Sequence, residues 1–271
     1  MDGEPVRFRL RVRYRKTGRL AYLGHLEVMQ TIERAIRRAG LPYAVTQGFS
    51  PRMKAGYSSA LPVGTSSTCE WYDVFLTELV PADEALARLQ SASPSDLLPD
   101  RVGYIDVHAP ALTAQITRVA YRILLFPAGA PLARGRVEEE LAAVRDLGQI
   151  PYLRGRKRKV LEVGRLLVGC AVEEAPEGAG VLALALDTRT TNDGALRPEI
   201  LLTALDRRLS GAGADEGPIE STGQPVYRSF ARVQIERTGQ FAEDGEGGLL
   251  PPLPEPAPVP APPVSAALGM V

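Results

Sequence analysis

The chain has 271 residues, and its 32 Lys and Arg balance 32 Asp and Glu, giving a formal net charge of zero. With 45% hydrophobic and 24% charged residues it has the makeup of a globular protein with a core, long enough for two ordinary domains. Its two cysteines, Cys69 and Cys170, lie far apart with no Cys or His near either at ligand spacing, which argues against a disulfide framework, a structural zinc site and a self-contained iron–sulfur cluster. No window approaches the roughly 20 apolar residues of a membrane span. The opening MDGEPVRFRL has no apolar signal-peptide core, so a cytoplasmic protein is expected.

The zero charge hides an asymmetry, since basic residues crowd into 7–54 and 154–165 while acidic ones spread through the second half. The first element, VRFRLRVRYR, alternates Val6, Phe8, Leu10, Val12 and Tyr14 with Arg7, Arg9, Arg11, Arg13 and Arg15. A period of two marks a strand. After Thr17-Gly18 a helix is predicted over 25–39, ended by Gly40 and Pro42. Val28, Met29, Ile32, Ala35 and Ile36 share one side of it, and Arg34, Arg37 and Arg38 lie on the other. A loop rich in Gly, Pro and Ser follows (TQGFSPRMKAGYSSALPVG), with a weak strand over 54–60. Then come a strand in CEWYDVFLTE, a helix in PADEALARLQSA and a strand in RVGYIDVHA.

The order is β-α-β-β-α-β, and it appears a second time. ITRVAYRILLF reads as a strand and ARGRVEEELAAVRDL as a helix; VLEVGRLLVGCAVEE and VLALALDT read as strands. A helix opens at Pro198 and the last strand lies in YRSFARVQIER. The expected fold is therefore α+β, with two tandem ferredoxin-like domains over 1–112 and 113–240. Residues 241–271, acidic and then PPLPEPAPVPAPP, are expected to form a disordered tail.

Several features could carry chemistry. If the apolar side of the first strand faces the helices, Arg7, Arg9, Arg11, Arg13 and Arg15 line the open face at about 7 Å spacing, a row suited to a polyanion. The other reading is a face neutralised by carboxylates on neighbouring strands, for which Glu70 and Asp73 are candidates. The loop Gln47-Gly48-Phe49-Ser50-Pro51-Arg52-Met53-Lys54 offers backbone access at Gly48, cations at Arg52 and Lys54, and Phe49 for stacking on a base; the other reading is a turn with Phe49 tucked inward. It matches neither a Walker loop nor a dinucleotide fingerprint, so no nucleotide cofactor is expected. His25 is placed as a general base or as a histidine at the core edge or cleft. The run LRGRKRKV, with Arg154, Arg156, Lys157, Arg158 and Lys159, reads as a solvated hairpin or as an extension of a basic track. No metal site and no nucleophile–base constellation can be assembled.

Arg13-Tyr14, Lys16-Thr17-Gly18, LGHLEVMQTIERAIRRAGLPYAVTQGFSPRMK, LPVG and EWYDVFL together resemble the DUF2344, radical SAM-associated family of bacteria. The likeness is dense over 7–80 and thinner to about residue 235. Ser50 stands where the family often has histidine, and Glu162-Val163-Gly164-Arg165 replaces an Asp-Ile-Arg-like segment. The chain lacks a CxxxCxxC motif, so the resemblance implies that any radical chemistry belongs to a partner. It implies an RNA-binding adaptor, for ribosomal or transfer RNA, that serves a radical SAM protein. Two alternatives stand beside it: a metal-independent RNA endonuclease like the RAMP processing enzymes, using His25, and an adaptor that grips only an acidic protein surface.

Overall fold

In the computed structural model the described residues are 7–191, 194–212 and 217–254. The arginine-alternating segment forms strand β1 (Phe8–Lys16), followed by a 3-10 turn (Gly18–Tyr22) and helix α1 (His25–Arg38). The Glu27 carboxylate accepts from the Gly24 backbone N–H at 2.7 Å and closes the start of α1. Gly40, at φ +62°, ends it in the left-handed conformation that glycine adopts without strain. Val28, Ile32, Ala35 and Ile36 are buried, the apolar side expected from their spacing. The chain continues through β2 (Ala55–Tyr57), β3 (Ser66–Leu76), α2 (Ala82–Ala92) and β4 (Pro99–Ile105).

The second half opens with a short helix, α3 (Leu112–Gln115), then β5 (Arg118–Pro127) and α4 (Arg134–Asp146). The segment VLEVGRLLVGCAVEE is not one strand. It divides into the end of β7 (Lys157–Glu162), a helical turn α5 (Val163–Leu166) and β8 (Leu167–Glu174), and β7 is preceded by an unforeseen strand, β6 (Gln149–Arg154). Next come β9 (Leu182–Thr191), β10 (Gly194–Ala195), α6 (Pro198–Leu209), β11 (Ile219–Glu220), β12 (Phe230–Glu243) and β13 (Leu249–Leu250).

The mixed α+β class holds, but the two halves share one sheet. Its order is β10-β9-β5-β12-β3-β1-β4, with β2 beside β3, β8 beside β9 and β13 beside β12. The first half thus runs β4-β1-β3-β2 and the second β12-β5-β9-β8, the same arrangement twice. They meet where β12 lies parallel to β3, through only the pairs Glu236↔Ser66 and Arg237↔Ser67. Strands β11, β6 and β7 form a separate small sheet. Leu10, Val12 and Tyr14 pack with Val28, Ile32 and Ile36 of α1 and with Leu89 of α2.

Two expectations need correction. The face of β1 opposite the helices is not open, because residues 107–115 and 250–254 lie over it. Arg11 donates to Gln115 at 2.6 Å and to the Pro252 carbonyl at 2.7 Å, and Arg9 donates to the Ala109 and Pro110 carbonyls. The tail does not begin at residue 241: β12 runs to Glu243, β13 pairs with it, and Leu253 is buried against Gly103. The Pro-rich stretch beyond Pro254 lies outside the described residues. Among those residues no helix is long and apolar enough to cross a membrane.

Candidate functional site

The arginine row is divided by its surroundings. Arg9 and Arg11 are 6% and 1% exposed, and both pair with Asp73 on β3, at 2.7 Å from Arg9 Nη2 to Oδ2 and 2.7 Å from Arg11 Nε to Oδ1. Both are buried and their N–H groups are taken up by Asp73, by backbone carbonyls and by Gln115, so neither can meet an external phosphate. Arg13 forms a partly exposed pair with Asp100 at 2.8 Å. Arg15 is exposed and donates to the Ser95 carbonyl, and Arg7 is half-buried at the start of the described chain. Of the two carboxylates named as possible counter-charges, Asp73 serves β1, whereas Glu70 is engaged elsewhere.

The loop over 45–53 projects from the edge of the first half. A bridge between Val45 and Met53 closes its base, the Thr46 N–H donates to the Arg52 carbonyl at 2.8 Å, and the Arg52 N–H donates to Thr46 Oγ1 at 3.0 Å. Gln47, Gly48, Phe49 and Arg52 are exposed, and the Phe49 ring is fully in solvent rather than tucked inward. Gly48 has φ +133°, which explains the glycine at this turn. At the root of the loop Arg37 lies over the Tyr43 ring, 5.8 Å from its centroid, and pairs with Glu33. Arg34 and Arg38 are exposed on the same helix, with no ion pair to a carboxylate among the described residues. Lys54 is half-buried, its ammonium 4.6 Å from the Phe75 ring centroid. The loop and the basic side of α1 are therefore one neighbourhood.

A second basic surface lies on the other half. β6 and β7 pair as a hairpin whose tip carries Arg154, Gly155, Arg156 and Lys157. Arg154, Arg156, Lys157, Arg158 and Lys159 are all exposed and have no ion pair among the described residues. Strand pairing holds these like charges close together, which favours an anionic partner.

Sequence reading missed the polar centre of the sheet. Glu70 is 3% exposed and Arg237 2%, and Arg237 Nη1 donates to both Glu70 oxygens at 3.1 and 3.2 Å. Gln240 Nε2 and Ser58 Oγ donate to the same carboxylate at 3.2 and 3.3 Å. Lys16, only 1% exposed, donates to the Ala21 carbonyl at 2.7 Å. Tyr14, Lys16, His25, Ser58 and Glu70 surround a small void beneath the loop over 58–65. His25 is half-buried there, its ring edge-on to Tyr57 at 6.2 Å, which places it at the cleft rather than in the core.

Burial pushes the Lys16 ammonium down from 10.5 to about 8; the Glu70 carboxylate opposes this and Arg237 reinforces it. Between these two values the unfolded chain holds a proton that the folded one lacks, so Lys16 makes stability rise from about pH 8 to 10.5. Lys16→Met is expected to remove that rise. Urea denaturation at several pH values reads it as the difference from wild type, and identical pH dependence in both would show that Lys16 titrates normally. The Ala21 carbonyl keeps a donor in the variant, the Gly64 N–H at 3.0 Å.

Comparison with known proteins places these residues within a family. A crystal structure of a Cbf5-Nop10-Gar1 complex matches with TM-score 0.44 and 11% identity over 87% of this chain and 50% of that one, so the chain spans about half the length of that match. A putative glycine cleavage system transcriptional repressor matches with TM-score 0.20 and 10% identity over 76% of this chain and 90% of that one. No curated protein matches the sequence. The family described as "Uncharacterized protein conserved in bacteria (DUF2344)" matches residues 9–198, which include β1, α1, the exposed loop, the basic hairpin and Lys16 with Glu70. With more than half of its length matched, the chain belongs to the DUF2344 family.

Proposed function

We propose that this protein binds single-stranded RNA and carries no cofactor of its own. The observation that supports this most is Phe49, fully exposed in a loop that also carries Arg52 and whose root meets Arg37 of α1 at Tyr43. An aromatic ring in solvent contributes nothing to a core, whereas stacked on a base it supplies about 1–3 kcal/mol. Arg34, Arg38 and Arg52 would hold phosphates on one half, and Arg156 and Arg158 on the other. Arg9 and Arg11 drop out of the contact set, and Arg7, Arg13, Arg15, Arg37 and Lys54 would act from its margins. By the family resemblance the RNA is ribosomal or transfer RNA in the cytoplasm, held for a radical SAM partner. The twofold strand order supports reading each half as a ferredoxin-like unit joined along one sheet.

Fluorescence anisotropy with a labelled single-stranded RNA dodecamer tests this. Affinity is expected to fall steeply with KCl, Phe49→Ala to weaken it by about 1–3 kcal/mol, and Arg52→Ala to reduce the salt slope by about one. Affinity indifferent to salt and to both variants would overturn the reading.

A second reading, an RNA endonuclease, is favoured by the position of His25 beside Lys16, Ser58 and Glu70. There His25 would take the proton of a ribose 2′-hydroxyl. Cleavage of RNA by the purified protein, lost in His25→Ala, would establish it; RNA left intact across many substrates would exclude it.

A further inference from the structure

Where the halves meet, a cavity of about 310 Å3 opens beside β12, lined by Thr65, Glu199, Gln224, Tyr227 and Phe230. That is the small end of ligand cavities, which run about 300–1,000 Å3, and suits one nucleotide-sized group. Gly64, at φ +86°, brings the loop over 58–65 to its rim: a Cβ there would lie 3.7 Å from the Tyr22 ring and 3.8 Å from the Gln224 amide nitrogen. Phe230 is buried and Tyr227 meets it edge-on at 5.6 Å, so one wall is aromatic. Val63 and Val226 are exposed at the mouth beside Arg232.

Glu199 is the unusual member of this lining. It sits in the first turn of α6, where a carboxylate suits the helix dipole. The dipole accounts for an acid at that position but not for its burial in a cavity against aromatic rings. Burial pushes its carboxyl up, opposed by its own backbone N–H and by the charges of Arg197 and Arg237. No other described side chain hydrogen-bonds or ion-pairs with it, so beyond its own backbone N–H the carboxylate keeps acceptor capacity toward the cavity. Among the standard bases only guanine presents two adjacent N–H donors on one edge, at N1 and N2, and a carboxylate takes such a pair in a bidentate manner.

We infer that this cavity binds a guanine base, with Glu199 accepting from its N1–H and N2–H groups and Tyr227 packing against its ring. Gln224 at the rim supplies a donor for the base's carbonyl oxygen, and Arg232 at the mouth supplies a cation for its phosphate. The inference rests on the RNA reading only for the source of the base. An RNA nucleotide turned out of its stack and a free guanosine nucleotide offer the same edge.

Three labelled uridine hexamers, each carrying one guanosine, inosine or adenosine, separate the outcomes, together with calorimetric titration of guanosine monophosphate. The guanosine hexamer is expected to bind about tenfold more tightly than the inosine one, which lacks the N2 amino group. Glu199→Gln, nearly isosteric, is expected to erase this preference while leaving affinity for the adenosine hexamer within about twofold. Val226→Asp, at an exposed position that leaves folding intact, is expected to weaken guanosine binding at the mouth. Equal affinity for all three hexamers, with no binding of guanosine monophosphate, would overturn the cavity assignment and leave the RNA reading standing. Binding of guanosine monophosphate that Glu199→Gln abolishes, with no RNA bound at all, would support the cavity and overturn the RNA reading.

Discussion

Asp73→Ala is expected to destabilise the fold by about 3–5 kcal/mol, because it strands two buried guanidinium groups at once. Both Asp73 oxygens are occupied by Arg9 and Arg11, and all three side chains are almost fully buried. After the substitution Arg9 keeps the Pro110 carbonyl, and Arg11 keeps Gln115 and the Pro252 carbonyl. These acceptors satisfy N–H groups but do not neutralise charge. The loss is large against a typical total stability of about 5–15 kcal/mol. Arg13→Ala is the contrast, since its pair with Asp100 is more than a third exposed and is worth at most about 1 kcal/mol. Urea unfolding midpoints compare the two. An Asp73→Ala midpoint no lower than that of Arg13→Ala would show that the arginines of β1 find other counter-charges.

The same contrast explains what was legible in the sequence. Alternation in β1 and the apolar spacing of α1 fixed those elements and showed that the two faces of β1 differ. It could not show which face stays open. Arg11 is covered by residues 62, 104 and 241 positions away in sequence, and a local pattern carries no record of such distant contacts. The solvated hairpin at 154–159 was legible, but the strand β6 leading into it was not: its buried set is only Ile150 and Tyr152, and Pro151 between them argues against a strand. The last residues of β12, 238–243, were hidden by Gly239 and by the acidic, glycine-containing composition that follows Phe241. At the candidate interface, Phe49 with Arg52 was readable because exposed loop residues act through their own chemistry. The Lys16–Glu70–Arg237 centre was not, since Lys16 looks like one more cation of the row. Its parity puts it instead on the side of Leu10, Val12 and Tyr14, and the Glu70–Arg237 pair beside it there comes from β3 and β12, distant in sequence. Glu199 looked like an ordinary acid at a helix start for the same reason: the cavity wall opposite it comes from the other half.

Arg237→Met is expected to cost about 3–5 kcal/mol, comparable to the loss at Asp73 but acting at the joint between the halves. Methionine fills much of the volume, so what disappears is chiefly the charge that balances Glu70. Glu70 keeps the Ser58 hydroxyl and the Gln240 amide as donors, yet its carboxylate then sits 3% exposed with no cation paired to it. The joint has little to spare, because β12 and β3 share only two paired positions and Arg237 is one of them. Side chains extend the contact: Ser67 Oγ donates to the Arg237 carbonyl at 3.1 Å and Gln240 Nε2 to the Cys69 carbonyl at 2.7 Å. If the cost is one of unbalanced charge, Glu70→Gln in the same chain removes it, and the double variant recovers most of the lost stability. A double-mutant cycle by chemical denaturation measures that coupling. A double variant as unstable as Arg237→Met alone would mean that the halves are held instead by Arg237 reaching the Ser59 and Ala60 carbonyls, at 3.1 and 3.4 Å, of the loop that roofs the cleft.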